Sequence, residues 1–194
     1  MKPVVTGRSV LTSRETGPEL DKLIGRLKQV RFVHDLELLT VVSVGKLLDE
    51  AGIIYPAGNP GLSIYIGIDD AVEDIKDEYF NNILKEGMMG ASPLLFPYTS
   101  PNALAAQASI AFDIRGESIT VSVKDFCRDV IKYAVDCIVQ GYTIMAVAGL
   151  ISISPDDAYS AEFLLIENRN SALRRGAKIY SYNGDWMNEY FRFD

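Results

Sequence analysis

The sequence is poor in the residues that most soluble enzymes use for metal binding and nucleophilic chemistry. It has two cysteines, one histidine (His34) and one tryptophan in 194 residues. There is no CxxC, so the spacing of a zinc or redox site is missing. Cys127 and Cys137 fall in one expected helix, ten residues apart, which separates them by about 15 Å along the axis and excludes a bridge between them. A net charge of −7 argues against nucleic acid, whose phosphates it would repel. No apolar run approaches the roughly 20 residues needed to span a bilayer. The first residues, MKPVVTGRSV, lack an apolar stretch followed by a small-residue cleavage site, which makes the cytoplasm the expected location. No metal and no cofactor is expected.

What remains is an ordinary globular composition, 48% apolar and 23% charged, on a chain long enough for one domain spanning residues 1–194. Val4 to Thr12 read as a buried strand interrupted by Gly7. Pro18 to Val30 form an amphipathic segment with Leu20, Leu23, Ile24 and Leu27 on one helical face. Asp35 to Glu50 form a helix too apolar for a surface position, closed by Gly52. Ser63 to Ile68 form a β-branched strand, followed by the amphipathic helix VEDIKDEYFNNILKEG. TSPNALAAQASIAFDI gives another helix, with Ser100 as its cap, Pro101 in its first turn and Gly116 ending the unit. SITVSV, Ser118 to Val123, is a strand, and FCRDVIKYAVDCIVQG is the helix after it, closed by Gly141. TIMAVAGLISI is almost wholly apolar, as expected of a strand covered on both faces. AEFLLIE and KIYSYNG read as further strands around a short helix, NRNSALRRG. Strands alternating with helices of this length give an α/β sandwich with a mostly parallel sheet. The last two strands lack a full crossover helix, so one of them is open to an antiparallel direction.

The order of these pieces resembles the N-terminal half of a β-ketoacyl synthase, a member of the thiolase superfamily. VVTGRSV is similar to the opening strand VVTGxGxV, and SIYIGI to the strand "gvyvGt". SPLLFPYTSPNALAAQASIAFDIRG is similar to "p..fp...pN..a..ia...g..G", GYTIMAVAG to "G.aD.alaGG", and AEFLLIENRNSALRRGAKIYSYNG to "aga.vLE....A..RGA.iya...G". The resemblance runs from Val4 to Gly184 and rests on several segments in order, since none is decisive alone. It implies a layered thiolase-like module, with a mixed, mostly parallel five-stranded sheet flanked by helices. It also implies a chain that stops where the second half, with its catalytic histidines, would begin. That absence predicts an apolar face left open on the central layer.

The resemblance further implies that the strand SITVSV leads into the turn that carries the catalytic cysteine. Anchored on the strand, that cysteine falls at Asp125; anchored on the helix, it falls at Lys124. Neither register reaches Cys127, and Phe126, Cys127 and Arg128 are larger than the small residues expected after the nucleophile. Two readings of Cys127 stand open. Lys124, Arg128 and a helix N-terminus would lower its pKa, or it is a small helical filler. His34 is its only candidate base and reads as a cap-region residue. Asp125 reads as an N-cap. Asp69-Asp70 and Asp156-Asp157 read as turn chemistry. The GNPG loop lacks a phosphate-binding pattern. Arg174, Arg175 and Lys178 are either a small basic patch for an acidic carrier protein or solvated helix-end charge.

In the family, the strand equivalent to Ile119, Thr120, Val121, Ser122 and Val123 pairs across a dimer axis. Chain-length factors resemble ketosynthases, lack the cysteine and serve as the silent half of a heterodimer. The expected function is therefore a non-catalytic ketosynthase-like subunit of fatty-acid or polyketide synthesis. Its expected partner is a full-length ketosynthase or a second copy, with acyl carrier protein as a further partner. The alternatives are half of a split synthase completed by a separate chain, and a stand-alone acyltransferase using Cys127.

Overall fold

A computed structural model of the chain describes residues 2–23, 25–27, 34–59, 61–69, 72–122, 129–153 and 158–180. Five strands form one sheet: β1 (Pro3–Thr12), β2 (Leu62–Ile68), β3 (Ser118–Val121), β4 (Met145–Ile153) and β5 (Tyr159–Asn168). Their order across the sheet is β1-β5-β4-β2-β3. β2 is parallel to both β3 and β4, while β5 is antiparallel to β4 and to β1. Four strands therefore point one way and β5 alone points the other, the mixed and mostly parallel sheet that the sequence predicts.

Among the described residues six α-helices accompany the sheet: α1 (Thr16–Leu23), α2 (Asp35–Glu50), α3 (Glu73–Glu86), α4 (Asn102–Phe112), α5 (Asp129–Gln140) and α6 (Arg169–Arg174). One face of the sheet packs against α2 and α4 through Ile64, Ile66, Val147, Phe163 and Leu165. The other packs against α5 through Val5, Tyr65, Ala146, Ala148, Leu164 and Ile166. β4 lies in the middle, and its first five residues are buried, as an apolar strand between two layers must be. At its centre Gly149 faces Phe163; a Cβ there would stand 2.2 Å from Glu162 O and 2.3 Å from the Phe163 ring.

α2 is buried on almost every side, as its apolar content requires. Gly52 takes φ +68° just beyond it, and Ile53 N–H donates to Leu48 O at 2.8 Å, closing the last turn. Gly141 does the same for α5 at φ +84°.

Four local expectations are corrected. α1 begins at Thr16 rather than Pro18 and ends at Leu23, and the described residues 25–27 after it form a turn in which Arg26 reaches the Asp49 carboxylate at 2.7 and 2.9 Å and lies over the Tyr55 ring, while residues 28–30 of the expected helix lie outside the described residues. Pro101, not Ser100, occupies the N-cap of α4, and Ser100 contributes its backbone carbonyl to Ala103 N–H. The left-handed residue that ends α4 is Asp113 (φ 55°), not Gly116. Gly116 instead passes so close to β2 that a Cβ would meet Leu62 O at 2.3 Å. The segment beginning at Lys178 makes one described bridge, Val5 with Tyr180, rather than a described strand; its remainder lies outside the described residues.

Candidate functional site

β3 sits at one edge of the sheet and joins it only through β2, with Ile64, Tyr65, Ile66 and Gly67 facing Ser118, Ile119, Thr120 and Val121. Alternation along the strand turns Ile119 and Val121 toward α5, where they pack against its cluster. Thr120 points to the other face, and its hydroxyl donates to Asn102 Oδ1 at the start of α4, 3.3 Å away. Ser122 follows the strand and is exposed. No charged residue occurs between Ser118 and Ser122.

The acidic residue at the head of the strand, Glu117, is tied down. Tyr65 Oη donates to Glu117 Oε2 at 2.8 Å, Tyr133 Oη donates to Oε1 at 3.4 Å, and the Glu117 N–H donates to Ser63 Oγ at 3.1 Å. The Ser63 hydroxyl itself donates to Thr143 Oγ1 at 3.0 Å. The two phenols meet edge to face with centroids 5.3 Å apart, across the gap between β2 and α5. Burial pushes the Tyr65 phenol well above its ordinary range. Hydrogen bonding with Cys137, and then burial, pushes Tyr133 up to about 12. Both phenols thus stay protonated and remain donors at neutral pH. Cys137 is buried beside them on α5, inside the fold rather than open to a substrate.

The residues of the expected nucleophile turn, Val123, Lys124, Asp125, Phe126, Cys127 and Arg128, lie outside the described residues, as do Asp70, Asp156 and Asp157. His34 is described, and its Nδ1 accepts from Leu36 N–H at 3.3 Å as the N-cap of α2. Its ring meets Tyr159 edge to face at 5.7 Å. Tyr159 Oη donates to Asp74 Oδ2 at 3.1 Å, and burial, then Asp74, push that phenol up to about 12. His34 is therefore engaged as a capping acceptor at the other side of the sheet from α5. Among the described residues no cluster of His, Cys, Asp and Glu could hold a metal ion, and no helix is long and apolar enough to cross a membrane.

One expectation about surface chemistry changes. The outward side of α5 carries Asp129, Lys132, Asp136 and Gln140, all exposed, along with Tyr133 and Val139. Arg175 leaves the basic patch and turns inward to Glu167 on β5. Its Nη2 donates to Glu167 Oε1 at 2.5 Å, its Nε lies 3.1 Å from both carboxylate oxygens, and its Nη1 donates to Ala51 O at 2.6 Å. The Thr6 hydroxyl also donates to Glu167. This network locks β1, β5, α6 and the end of α2 together. The sequence signal for it was Glu167 itself, a carboxylate inside the apolar strand AEFLLIE that ends eight residues before Arg175.

The sequence matches no family model and no curated protein. Solved structures do match. The ishigamide ketosynthase/chain length factor superposes with a TM-score of 0.71 at 17% identity, over 91% of this chain and 60% of that one. A β-ketoacyl synthase from Burkholderia phymatum STM815 gives 0.67 at 17% identity, over 92% and 62%. A type II polyketide synthase acyl-carrier protein in complex with its ketosynthase bound to the hexaketide gives 0.65 at 19% identity, over 91% and 65%. The chain spans less than two thirds of the length of each. The layered fold is thus the thiolase-like fold of the ketosynthases, as the resemblance implied.

Proposed function

We propose that this chain is a non-catalytic ketosynthase-like subunit that pairs through β3 with a condensing enzyme of fatty-acid or polyketide synthesis. The observation that carries the proposal is the character of β3. It ends the sheet, no described residue hydrogen-bonds its outer side, and neither its four residues Ser118 to Val121 nor Ser122 after them carry a charge. Sheets ordinarily guard such an edge with lysine, proline or a bulge, and an unguarded one is a template for another strand. Ketosynthase-type neighbours that include a ketosynthase/chain length factor support the same reading. A second copy of this chain satisfies the edge in the same way. Acyl carrier protein is a further proposed partner of the assembled pair, and the cytoplasm its proposed location.

The reading that the chain does not form bonds rests on Lys124 or Asp125 standing where the cysteine is expected. The test is co-expression with the full-length ketosynthase encoded nearest to it, followed by size-exclusion chromatography and a condensation assay with acyl carrier protein. Co-elution that Thr120→Lys abolishes, while the fold is retained, supports pairing at β3. A ketosynthase fully active alone that never co-elutes, together with a monomeric chain, refutes it. Incubation with acyl thioesters and mass analysis separates the alternatives: acyl transfer to Cys127 in the purified chain would make it an acyltransferase. Condensation that appears only with a separate histidine-bearing half would make it a split synthase.

A further inference from the structure

We propose that, where no condensing enzyme is present, β3 closes on the β3 of a second copy, antiparallel and centred on Thr120. This rests on the reading of β3 as a pairing edge and names an occupant and its register. The backbone decides which groups are free. Glu117 turns both of its backbone groups toward β2: its carbonyl accepts from Ile64 N–H at 2.8 Å, and its N–H donates to Ser63 Oγ at 3.1 Å. Successive residues of a strand point these groups to opposite sides, so Ile119 and Val121 also face β2. Ser118, Thr120 and Ser122 face outward.

A twofold axis at Thr120 sets these three residues against their own counterparts. Ser118 stands opposite Ser122 of the copy, Thr120 opposite Thr120, and Ser122 opposite Ser118. Each is the hydrogen-bonded kind of antiparallel pair, in which both residues donate and accept, so every outward N–H and C=O from Ser118 to Ser122 is satisfied. An axis at Ile119 or at Val121 leaves one of the three unmatched within this stretch. The side chains agree with the Thr120 register, because SITVS reads the same in polarity from either end. Ile119 meets Val121 on the α5 side, and hydroxyl meets hydroxyl on the other, both favourable cross-strand pairs. Charge selects a copy as well. A residue at a twofold axis meets itself, so a charge there repels its own counterpart. None lies between Ser118 and Ser122, and none in α4, whose Asn102 holds Thr120. Glu117, three residues from the centre, is about 20 Å from its counterpart at 3.4 Å per residue, well beyond the screening length. A chain of net charge −7 thus offers itself a stretch on which none of that charge falls.

Cysteine pairing reads the register directly. Cα atoms in a hydrogen-bonded antiparallel pair are about 5.5 Å apart, within the span of a disulfide. Cys137 is buried, so a Cys127→Ser background leaves no competing exposed thiol. In it, Thr120→Cys should oxidise to a covalent dimer. Ser118→Cys and Ser122→Cys should each stay unlinked alone and link to one another when mixed. The unsubstituted chain should pass from monomer to dimer as its concentration rises. Thr120→Lys should raise that midpoint by about tenfold or more, with far-UV circular dichroism unchanged. A chain that is monomeric at every concentration overturns the proposal. So does a dimer in which Thr120→Cys links no better than Ser118→Cys alone, because the contact then lies elsewhere or in another register. Pairing of β3 with the condensing enzyme fails separately, when Thr120→Lys leaves co-elution with that enzyme unchanged.

Discussion

Replacing Arg175 by Met should be among the most damaging single changes in the chain. Glu167 has no exposed surface, whereas the Arg175 side chain keeps 23% of its own. Met fills much of the space of the arginine stem but leaves the Glu167 carboxylate buried, with the Thr6 hydroxyl as its remaining side-chain donor described here. Breaking a buried pair by removing one partner costs about 3–5 kcal/mol, and the partial exposure of Arg175 puts this pair near the lower figure, about 3 kcal/mol. Loss of the 2.6 Å bond to Ala51 O adds about 1 kcal/mol. With a urea dependence of roughly 2 kcal/mol per molar, the unfolding midpoint should fall by about 1.5–2 M with an unchanged slope. The double change Glu167→Gln with Arg175→Met removes the stranded charge while keeping an acceptor for Thr6. It should be more stable than Arg175→Met alone, a non-additivity that only an uncompensated charge produces. A single-mutant loss below about 1 kcal/mol, or a double mutant less stable than the single, would refute the reasoning that Arg175 is what compensates the buried Glu167 carboxylate.

Gly149→Ala should destabilise by about 3 kcal/mol or more in urea unfolding, because neither the Glu162 carbonyl nor the Phe163 ring can withdraw from the central strand pair; near-wild-type stability would show that the pair relaxes. Burial first, and then Asp49 and Asp74 respectively, push Tyr55 and Tyr159 up to about 12. Raised folded values favour the neutral phenols, so their contribution is complete below the ordinary tyrosine range near 10 and is lost as pH climbs from about 10 through 12. Phenolate absorbance and circular dichroism should then change together in that window, and independent phenolate titration with an intact fold would count against it. Glu15 accepts from the backbone N–H of Thr12 at 2.8 Å and from its hydroxyl at 2.9 Å, and the backbone bond holds its carboxyl below the usual range. That contribution is present above the ordinary carboxylate value and is lost as pH falls through the lowered one. Glu15→Gln should therefore flatten the acid limb of the stability curve slightly, and an unaltered limb would assign the cap no role.

The elements legible in the sequence are those whose local and tertiary demands agree. α2 is apolar all round because the sheet lies on one side and α1 and α4 on others, and β4 is continuously apolar because both its faces are covered. Gly52 and Gly141 could be placed because the left-handed turn after a helix has few other occupants. The misplacements arise where a distant partner overrides a local preference. Nothing local says that Arg26 will leave α1 for Asp49, or that Arg175 will turn from the solvent to a carboxylate on β5. Gly116 was read as a helix stop, but its constraint is the neighbouring strand, a contact invisible without the sheet order. Glu117 escaped notice for a similar reason. Its two tyrosine partners come from β2 and α5, 52 residues before it and 16 after it.

The distribution of these constraints separates a firmly held middle of the sheet from a lightly held edge. The heavily buried pairings are β4 with β2 and β5, and β5 with β1, and the Glu167 network fastens their common end. β3 has four residues and a single partner strand, and it is held at its head by Glu117 and at its middle by Asn102. The same economy of contacts leaves β3 the strand with most to gain from a neighbour, since pairing its outer side would satisfy backbone groups that β2 cannot reach.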